Sequence, residues 1–146
     1  MFYGSFRHAV DSKGRVAVPA QFRRDLAGAV VAPGSENRLV IWPAQEWQEY
    51  VQHFRHTADQ TADERLFSRH LYARSRTVDI DAQGRILLTP EHREFAGIGD
   101  RAVFVGASNV VEMVGEEVWD AESSVLDPKT FTELADRIRR SAAGQA

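Results

Sequence analysis

Cysteine is absent from this chain of 146 residues. Its absence excludes disulfide bonds, thiol catalysis and thiolate zinc sites, and it indicates a protein of the cytoplasm. Apolar runs of about 18 residues, the length that spans a bilayer, are also missing, so we expect no transmembrane helix. The first residues lack the basic segment and apolar stretch of a signal peptide, and we expect none.

Motifs that carry catalysis or bind metals are equally scarce. There is no Gly-rich phosphate loop, nucleophile elbow or metalloprotease motif, so we expect neither an enzyme nor a cofactor. Residues 79–84 resemble the start of a calcium loop, but its twelfth position is Pro90 instead of a bidentate glutamate. His53 and His56 lie three residues apart on a predicted helix without a third ligand, so we interpret them as solvated.

Net charge is −3, which by itself argues against nucleic-acid binding. The distribution of charge argues the other way. Residues 1–28 carry five basic side chains against two acidic ones, whereas residues 102–146 carry four basic against eight acidic. Because the local field steers a polyanion more than the net charge does, the first part of the chain is the expected basic face.

The chain does contain an internal repeat. The pentapeptide DSKGR at residues 11–15 recurs as DAQGR at residues 81–85, an offset of 70 residues. A looser match at an offset of 72 aligns Trp47 with Trp119. A unit that occurs twice predicts a pseudo-twofold pair that shares one core. Other positions matched at the offset of 70 are Val10 with Ile80, Val16 with Ile86, Val18 with Leu88, and Arg23 with Arg93.

Each repeat is predicted to contain a strand, a Gly turn, a second strand, a short helix, a hairpin and a helix. Pro19 and Pro90 are expected to start the short helices, because proline suits the first helical turn. Glu112 is expected to interrupt the last strand of the second repeat. The strands around the Gly turns are expected to pair as tight hairpins at residues 6–10 with 16–19 and 76–80 with 86–89. The later hairpins are expected at residues 30–32 with 39–42 and 102–105 with 110–114.

Apolar residues at helical spacing predict three further helices, which cover residues 47–54, residues 62–73 and the stretch that follows the Asp127-Pro128 cap. The helix over residues 62–73 is expected to bury Leu66, Phe67 and Leu71. Residues 141–146 are expected to fray.

Together these elements predict an α+β fold with a small β-barrel core and peripheral helices. The first repeat with its following helix is expected to cover residues 1–56, and a connecting helical segment residues 57–74. The second repeat is expected to cover residues 75–122, and a C-terminal helix and tail residues 123–146.

The two charged turns are the candidate functional feature. The aspartate and the arginine of each turn are four residues apart across a chain reversal. In a structural interpretation, the aspartate caps the turn and pairs with the arginine. In a functional one, Lys13 and Arg15 project toward phosphates or base edges, since a guanidinium reaches guanine O6 and N7 together. We expect both roles at once. The turn-structuring residues are then Asp11, Asp81 and Gly84.

DNA contact is expected to be weighted to the first repeat. Gln83 replaces Lys13 in the second turn, and Asp79 and Glu91 surround that turn. The strand and the short helix beside the first turn add further cations, although a solvated helix face explains the helix arginines equally well. The expected DNA-contacting residues are Lys13, Gly14, Arg15, Arg7, Arg23, Arg24 and Arg85.

Four longer segments carry a family resemblance: residues 1–4 (MFYG), 11–23 (DSKGRVAVPAQFR), 42–47 (WPAQEW) and 81–90 (DAQGRILLTP). Together they closely resemble the MraZ family of bacterial transcriptional regulators, over nearly the whole chain and with both repeats in order. The resemblance implies two tandem AbrB-like swapped-hairpin repeats, so that one chain mimics a dimer. The family's duplicated Asp-x-x-x-Arg motif falls on Asp11 with Arg15 and on Asp81 with Arg85.

The same resemblance implies a function and its partners. Such chains form rings that bind tandem repeats of double-stranded DNA in the promoter of the division and cell-wall gene cluster, which includes the protein's own gene. We therefore expect a homo-oligomeric, sequence-specific transcriptional regulator, cytoplasmic and nucleoid-associated, without a small-molecule substrate. The alternative is an antitoxin-like interaction module with secondary DNA binding, which the acidic tail and the amphipathic helix over residues 130–140 favour.

Overall fold

The computed structural model of the protein describes residues 1–144. The chain forms two compact units that divide after Glu116. The strands are β1 (Ser5–Ala9), β2 (Arg15–Ala17), β3 (Val30–Pro33), β4 (Leu39–Trp42), β5 (Arg76–Thr77), β6 (Arg85–Leu87), β7 (Arg101–Ala107) and β8 (Val110–Gly115). The helices are α1 (Ala20–Arg23), α2 (Ala44–Val51) with a 3₁₀ turn at Gln52–Phe54, α3 (Ala62–Ala73), α4 (Pro90–Phe95), α5 (Glu116–Ser124) and α6 (Pro128–Gly144). The predicted α+β class is confirmed.

The strands of the two repeats are exchanged. The main sheet has the order β1-β7-β8-β4-β3-β5, and every pairing in it is antiparallel. Strand β1 of the first repeat pairs with β7 of the second, and β5 of the second repeat pairs with β3 of the first. A separate two-stranded sheet joins β2 to β6, one strand from each repeat; we call this pair the ribbon. Across residues 1–144, the strands form these two sheets and not a closed barrel.

The expectation of a tight hairpin around each Gly turn is therefore wrong. At the first turn, the two flanking strands share a single bridge, Val10 with Val16. Strand β1 instead makes five residue pairs with β7. Each flanking strand finds a longer antiparallel partner in the other repeat, and a local hairpin would leave those ladder hydrogen bonds unmade.

The register of the exchanged strands joins matched positions. At the centre of the ribbon Val16 pairs with Ile86, which is its match at the offset of 70. At the centre of the main sheet Val40 of β4 pairs with Glu112 of β8, and these two residues are matched at the offset of 72. The repeats therefore meet at two places where each supplies the same position.

The core draws its side chains from both repeats, with Val16, Leu26, Leu39, Ile41, Ile86, Phe104, Val111 and Met113 among its buried members. Phe22 of α1 packs edge-to-face against Phe2 and Phe6, with ring centroids 5.4 and 5.3 Å apart. Pairs of this kind contribute about 0.5–1.5 kcal/mol beyond burial. The matched position in α4 is the buried His92, whose Nε2 lies 2.5 Å from the Arg74 carbonyl oxygen. The second repeat thus has a polar contact where the first has aromatic ones.

Several predicted helix boundaries and burials are confirmed, and others are wrong. Helix α3 covers the predicted residues, but Leu66 and Phe67 are 54% and 49% exposed. The apolar residues of α3 cover a wider part of the helix surface than the part that packs against the protein. Only Leu71 and Ser68 of this helix are buried. Pro90 is the first residue of α4 as predicted, whereas Pro19 precedes the first residue of α1.

Glu112 does not interrupt its strand, contrary to expectation. Strand β8 runs without a break, and Glu112 occupies the less buried position between Val111 and Met113. Because side chains alternate along a strand, a glutamate at that position leaves the apolar face intact. Its Oε1 lies 3.9 Å from Nη1 of the buried Arg38.

The second unit consists mainly of α5 and α6. Helix α6 leaves Phe131 and Ile138 63% and 68% exposed. Residues 141–144 are helical, so the expected fraying is wrong there, while residues 145–146 lie outside the described part of the chain. None of the helices within residues 1–144 combines the length and the apolar composition that crossing a bilayer requires.

Replacement of Gly14 by alanine is expected to lower the free energy of unfolding more than the same change at Gly28. Both glycines have positive φ, +85° and +73°, which costs an L-residue about 1–2 kcal/mol. Only at Gly14 would the new Cβ meet rigid backbone, at 2.9 Å from the Leu88 carbonyl oxygen, whereas nothing lies within 4 Å at Gly28. Chemical denaturation measures both changes. If both variants lost the same free energy of unfolding, the close contact of Leu88 with Gly14 would not constrain the first turn.

Candidate nucleic-acid interface

One carboxylate organises the first turn, residues 11–15. Asp11 Oδ1 accepts hydrogen bonds from the backbone N–H groups of Lys13 and Arg15, both at 2.9 Å. Asp11 Oδ2 accepts a third from Nε of Arg15 at 2.8 Å. Gly14 donates its N–H to the Asp11 carbonyl oxygen at 3.0 Å, in the left-handed conformation that glycine adopts readily. Asp11 therefore fixes the turn and the arginine together.

The second turn, residues 81–85, has the same bonds. Asp81 Oδ1 accepts from the backbone N–H groups of Gln83 and Arg85 at 2.9 Å, and Oδ2 accepts from Nε of Arg85 at 3.0 Å. Gly84 has φ of +79° and donates to the Asp81 carbonyl oxygen at 2.9 Å. The differences between the two sequences, Lys13 against Gln83 above all, leave the turn geometry unchanged.

The arginines are held through Nε only. Within residues 1–144, Nη1 and Nη2 of Arg15 and Arg85 make no hydrogen bond, and the two side chains are 36% and 30% exposed. The terminal amino groups of a guanidinium can bind a phosphate or a guanine edge in bidentate fashion. Each turn thus presents a pre-oriented cation with its binding edge open to solvent.

The ribbon brings both arginines to one face. Arg15 and Arg85 are the first residues of β2 and β6, and between them Val16 and Ile86 are 1% and 4% exposed. Because side chains alternate across a strand, the buried pair directs the two arginines to the opposite, solvent face. Two turns that are 70 residues apart in sequence therefore form one surface.

Each turn is also bonded to the other repeat. The Gly84 carbonyl oxygen accepts the N–H of Val18, and the Gly14 carbonyl oxygen accepts the N–H of Leu88, both at 2.9 Å. With its own N–H bonded to Asp11, Gly14 has both backbone polar groups engaged. The structure therefore gives Gly14 a part in shaping the first turn.

Arg23 lies at the second turn, although it belongs to the first repeat. Its Nε donates to the Val18 carbonyl oxygen at 2.9 Å, and a Cβ added to Gly84 would lie 2.6 Å from that Nε. Arg93, the matched residue, has its Nη1 3.8 Å from the Cβ position of Gly14 and donates from Nη2 to the Gly99 carbonyl oxygen at 3.0 Å. Because of the strand exchange, the arginine of each repeat lies at the turn of the other repeat: Arg23 at the second turn and Arg93 at the first.

Arg93 is the residue that sequence reasoning missed. It lines a cavity of about 330 Å³ beside the first turn, together with Ser12, Lys13, Gly14, Leu88 and Pro90. The signal was available, because Arg23 and Arg93 are matched in the repeat. What the sequence does not contain is the strand exchange, which brings each arginine to the opposite turn.

Arg7 is engaged by a carboxylate. Its Nη1 lies 3.0 Å from Glu116 Oε1, and Nε of Arg101 lies 3.1 Å from Glu116 Oε2. The hydrogen bond from Arg7, followed by that from Arg101, lowers the pKa of Glu116 below its ordinary value. A phosphate would have to compete with this ionised carboxylate for Arg7.

Lys13 and Arg24 are the remaining candidates of the first repeat, and His8 is a further side chain, on β1, that could carry a positive charge. Lys13 at the turn and Arg24 after α1 are exposed. Burial, and after it the charges of Arg23 and Arg101, hold the pKa of His8 below its ordinary value, so its ring is mainly neutral at neutral pH. Lys13 and Arg24 are therefore accessible to a phosphate, and His8 supplies no cation.

Metal ligands do not converge in the described part of the chain, where no group of three or more His, Asp or Glu side chains could hold an ion. His53 and His56 are both exposed. A cavity of about 630 Å³ lies along α3, with Leu66, Phe67 and Leu71 in its wall, and its lining includes no residue of either turn. This cavity is therefore separate from the two turns.

Comparison with known proteins gives one family. The chain matches the family described as "MraZ protein, putative antitoxin-like" twice, over residues 1–70 and 71–140. It is 40% identical over 139 residues to the transcriptional regulator MraZ of Natranaerobius thermophilus, covering 94% of this chain and 96% of the relative. The protein of that name from Desulforamulus reducens is 38% identical over 139 residues, with 94% and 97% covered. The one from Thermomicrobium roseum is 39% identical over 127 residues, with 86% and 89% covered.

The stabilising effect of the Asp11 carboxylate is expected to disappear in acid. The backbone hydrogen bond from Arg15, followed by the side-chain bond from Arg15 and the backbone bond from Lys13, lowers the pKa of Asp11 to about 2. An unfolded aspartate has a pKa of about 3.9. Since the folded pKa is the lower one, the stabilisation is complete above about pH 4 and is lost as pH falls through the folded value.

Thermal unfolding of the wild type and of Asp11→Asn measures this effect. The amide keeps one oxygen for the backbone N–H groups but loses the charge, so the wild type is expected to have the higher Tm at pH 7. The difference should shrink between pH 4 and pH 2. A difference that stays constant over that range would mean that the ionised carboxylate does not stabilise the turn.

Arg23 and Gly84 are expected to be energetically coupled. Gly84→Ala displaces the Arg23 guanidinium and its hydrogen bond to Val18, a charged bond worth about 1.5–3 kcal/mol. In an Arg23→Ala background, the same change should cost only the backbone strain, about 1–2 kcal/mol. Denaturation of the two single variants and the double variant gives the coupling. Arg24→Ala is the matched control and should not alter the cost at Gly84; strictly additive losses for Arg23 and Gly84 would contradict the contact.

Proposed function

This chain belongs to the MraZ family, and from that premise we propose that it is a sequence-specific DNA-binding transcriptional regulator. The relatives bear the name transcriptional regulator MraZ. The observation that carries the proposal is the pair of identically bonded Asp–Arg turns whose arginines share the solvent face of the ribbon.

The ribbon reads the major groove in this proposal. A two-stranded β-ribbon fits that groove, and arginine binds guanine O6 and N7 in bidentate fashion. Arg15 and Arg85 are the base-reading residues, and their aspartates keep the guanidinium planes in place before DNA arrives. Lys13 adds a phosphate contact at the first turn, and Arg24 is a further exposed cation for the DNA backbone. Arg23 and Arg93 lie beside the turns and add to the positive field.

We also propose that the repeats, residues 1–56 and 75–122, form an AbrB-like swapped-hairpin pair related by a pseudo-twofold axis. Residues 57–74 are then a connecting helical segment, and residues 123–146 a C-terminal helix and tail. Support comes from the reciprocal strand exchange and from the two central pairs, Val16 with Ile86 and Val40 with Glu112. Such an axis relates Arg15 to Arg85. One chain then contacts two neighbouring base steps, and its two repeats face them in opposite orientations.

The proposed assembly is a homo-oligomeric ring on tandem promoter repeats, upstream of the division and cell-wall gene cluster that includes the protein's own gene. The site of action is the nucleoid, in the cytoplasm. One pair of arginines gives modest affinity, and several chains joined together raise the effective concentration at successive repeats. The exposed Phe131 and Ile138 of α6 support contact with another chain, because apolar faces left in solvent mark interaction surfaces.

A second candidate is an antitoxin-like module that binds a different protein. The same α6 face favours it, as do the acidic residues of 102–146, four basic against eight acidic. In that case the turns have a structural role and any association with DNA is secondary. The dependence of DNA binding on salt separates the two candidates, because only direct phosphate contacts release counterions.

Arg15→Ala is expected to reduce binding of the promoter duplex to the level of a random duplex while cooperative unfolding persists. The loss corresponds to about 1–3 kcal/mol for each bidentate base contact, and it adds up over the chains that bind successive repeats. Arg85→Ala should cost less, since Gln83 replaces Lys13 beside it. Fluorescence anisotropy over a salt series should give wild-type slopes of log K against log salt near −0.9 per phosphate contacted.

Arg139→Ala in α6 is the matched control for loss of one exposed arginine and should leave duplex affinity unchanged. Salt-independent association would count against phosphate contact and favour the second candidate. An Arg15→Ala variant that unfolds would make Arg15 chiefly structural. Equal losses at Arg15 and Arg85 would contradict the weighting to the first turn.

A further inference from the structure

The solvent face of the ribbon differs between its two halves. Leu87 stands opposite Arg15, whereas Ala17 stands opposite Arg85. Ala17 and Leu87 are matched at the offset of 70, so the repeats differ here in the size of one apolar side chain. Leu87 is 68% exposed. The solvent face of the ribbon thus carries two arginines and a single large apolar side chain.

Leu87 is a neighbour of both arginines on the solvent face of the ribbon. It is the cross-strand partner of Arg15, and it is two residues from Arg85 on the same face of β6. Its Cδ1 lies 3.8 Å from the Cβ position of Gly14, so the side chain leans toward the first turn. Single exposed leucines are ordinary on a protein surface. This one is distinguished by its position next to both arginines in the ribbon.

We propose that Leu87 is a specificity-determining residue that contacts the C5-methyl group of a thymine next to the base bound by Arg15. The inference rests on the proposed DNA-binding function. In the major groove, the thymine methyl is the one apolar group that a base pair of unmodified DNA presents, and apolar side chains recognise it. Burial of a group of this size is worth about fourfold in affinity.

The asymmetry gives the chain a direction on DNA. A module with equivalent halves binds equally well in both orientations. Here the half with Arg15 and Leu87 reads a guanine with a neighbouring methyl group, and the half with Arg85 and Ala17 reads a guanine alone. Successive chains then bind in the same orientation, which suits sites repeated head to tail.

Replacement of thymine by uracil removes only the methyl group and therefore tests the contact. The probe is the duplex that the full chain protects from DNase digestion in the DNA upstream of its own gene. In a series of such duplexes, each thymine is replaced by uracil, one position at a time. At one uracil position the wild type should lose about fourfold in affinity. Leu87→Ala should lose a similar factor on the unmodified duplex and nothing further at that position.

Val125→Ala is the matched control, because Val125 is 70% exposed and lies outside the ribbon. It should retain the wild-type sensitivity to uracil. Ala17→Leu supplies the missing group in the other half and should create a second sensitive position where a thymine is placed there.

Three outcomes would overturn the assignment: no uracil position that affects the wild type, a Leu87→Ala loss that is equal on thymine and uracil duplexes, or a change in oligomeric mass on Leu87→Ala. The last would assign Leu87 to a contact between copies of the chain. Absence of wild-type binding to any duplex would instead overturn the proposed function, and this inference with it.

Discussion

The hydrogen bonds to one aspartate carboxylate in each repeat are the interaction on which the candidate interface depends. Asp11 and Asp81 each accept two backbone N–H bonds and one guanidinium N–H bond, at distances from 2.8 to 3.0 Å. The backbone bonds close the turn and start the ribbon strand in the right register. The side-chain bond fixes the arginine that begins that strand. Local folding and the orientation of the candidate reading group therefore depend on the same charge.

Strand exchange converts two local turns into one surface. Neither turn is stabilised by its own repeat alone, because the carbonyl groups of Gly14 and Gly84 accept bonds from the opposite repeat. Arg23 shows the consequence for charge, since it is placed against a turn that lies about sixty positions further along the sequence. A protein with net charge −3 can in this way assemble a local cationic face, which is what a polyanion detects.

The sequence predicts the two turns and the family, but it does not predict which strands pair. The Asp-x-x-Gly-Arg pattern predicts the aspartate caps and the left-handed glycines because those depend on residues within one turn. The local hairpins were wrong because strand partners are chosen over the whole chain, and β1 finds five pairs in β7. Leu66 and Phe67 have the spacing of buried residues, but periodicity does not say how wide a stripe of the helix packs. The repeat matches Arg93 with Arg23, but the position of Arg93 at the first turn depends on the strand exchange, which the sequence does not contain.

The central claim is that Arg15 and Arg85 bind DNA with guanidinium groups already held by their aspartates. Nitrogen-15 NMR of the arginine Nε–Hε groups, recorded as the promoter duplex is added, tests it most directly. We expect the signals of both arginines to shift on binding while their Hε protons stay slow to exchange, because the bonds to Asp11 and Asp81 persist. Bound DNA that leaves both signals unchanged, with the shifts confined to other elements, would contradict the account.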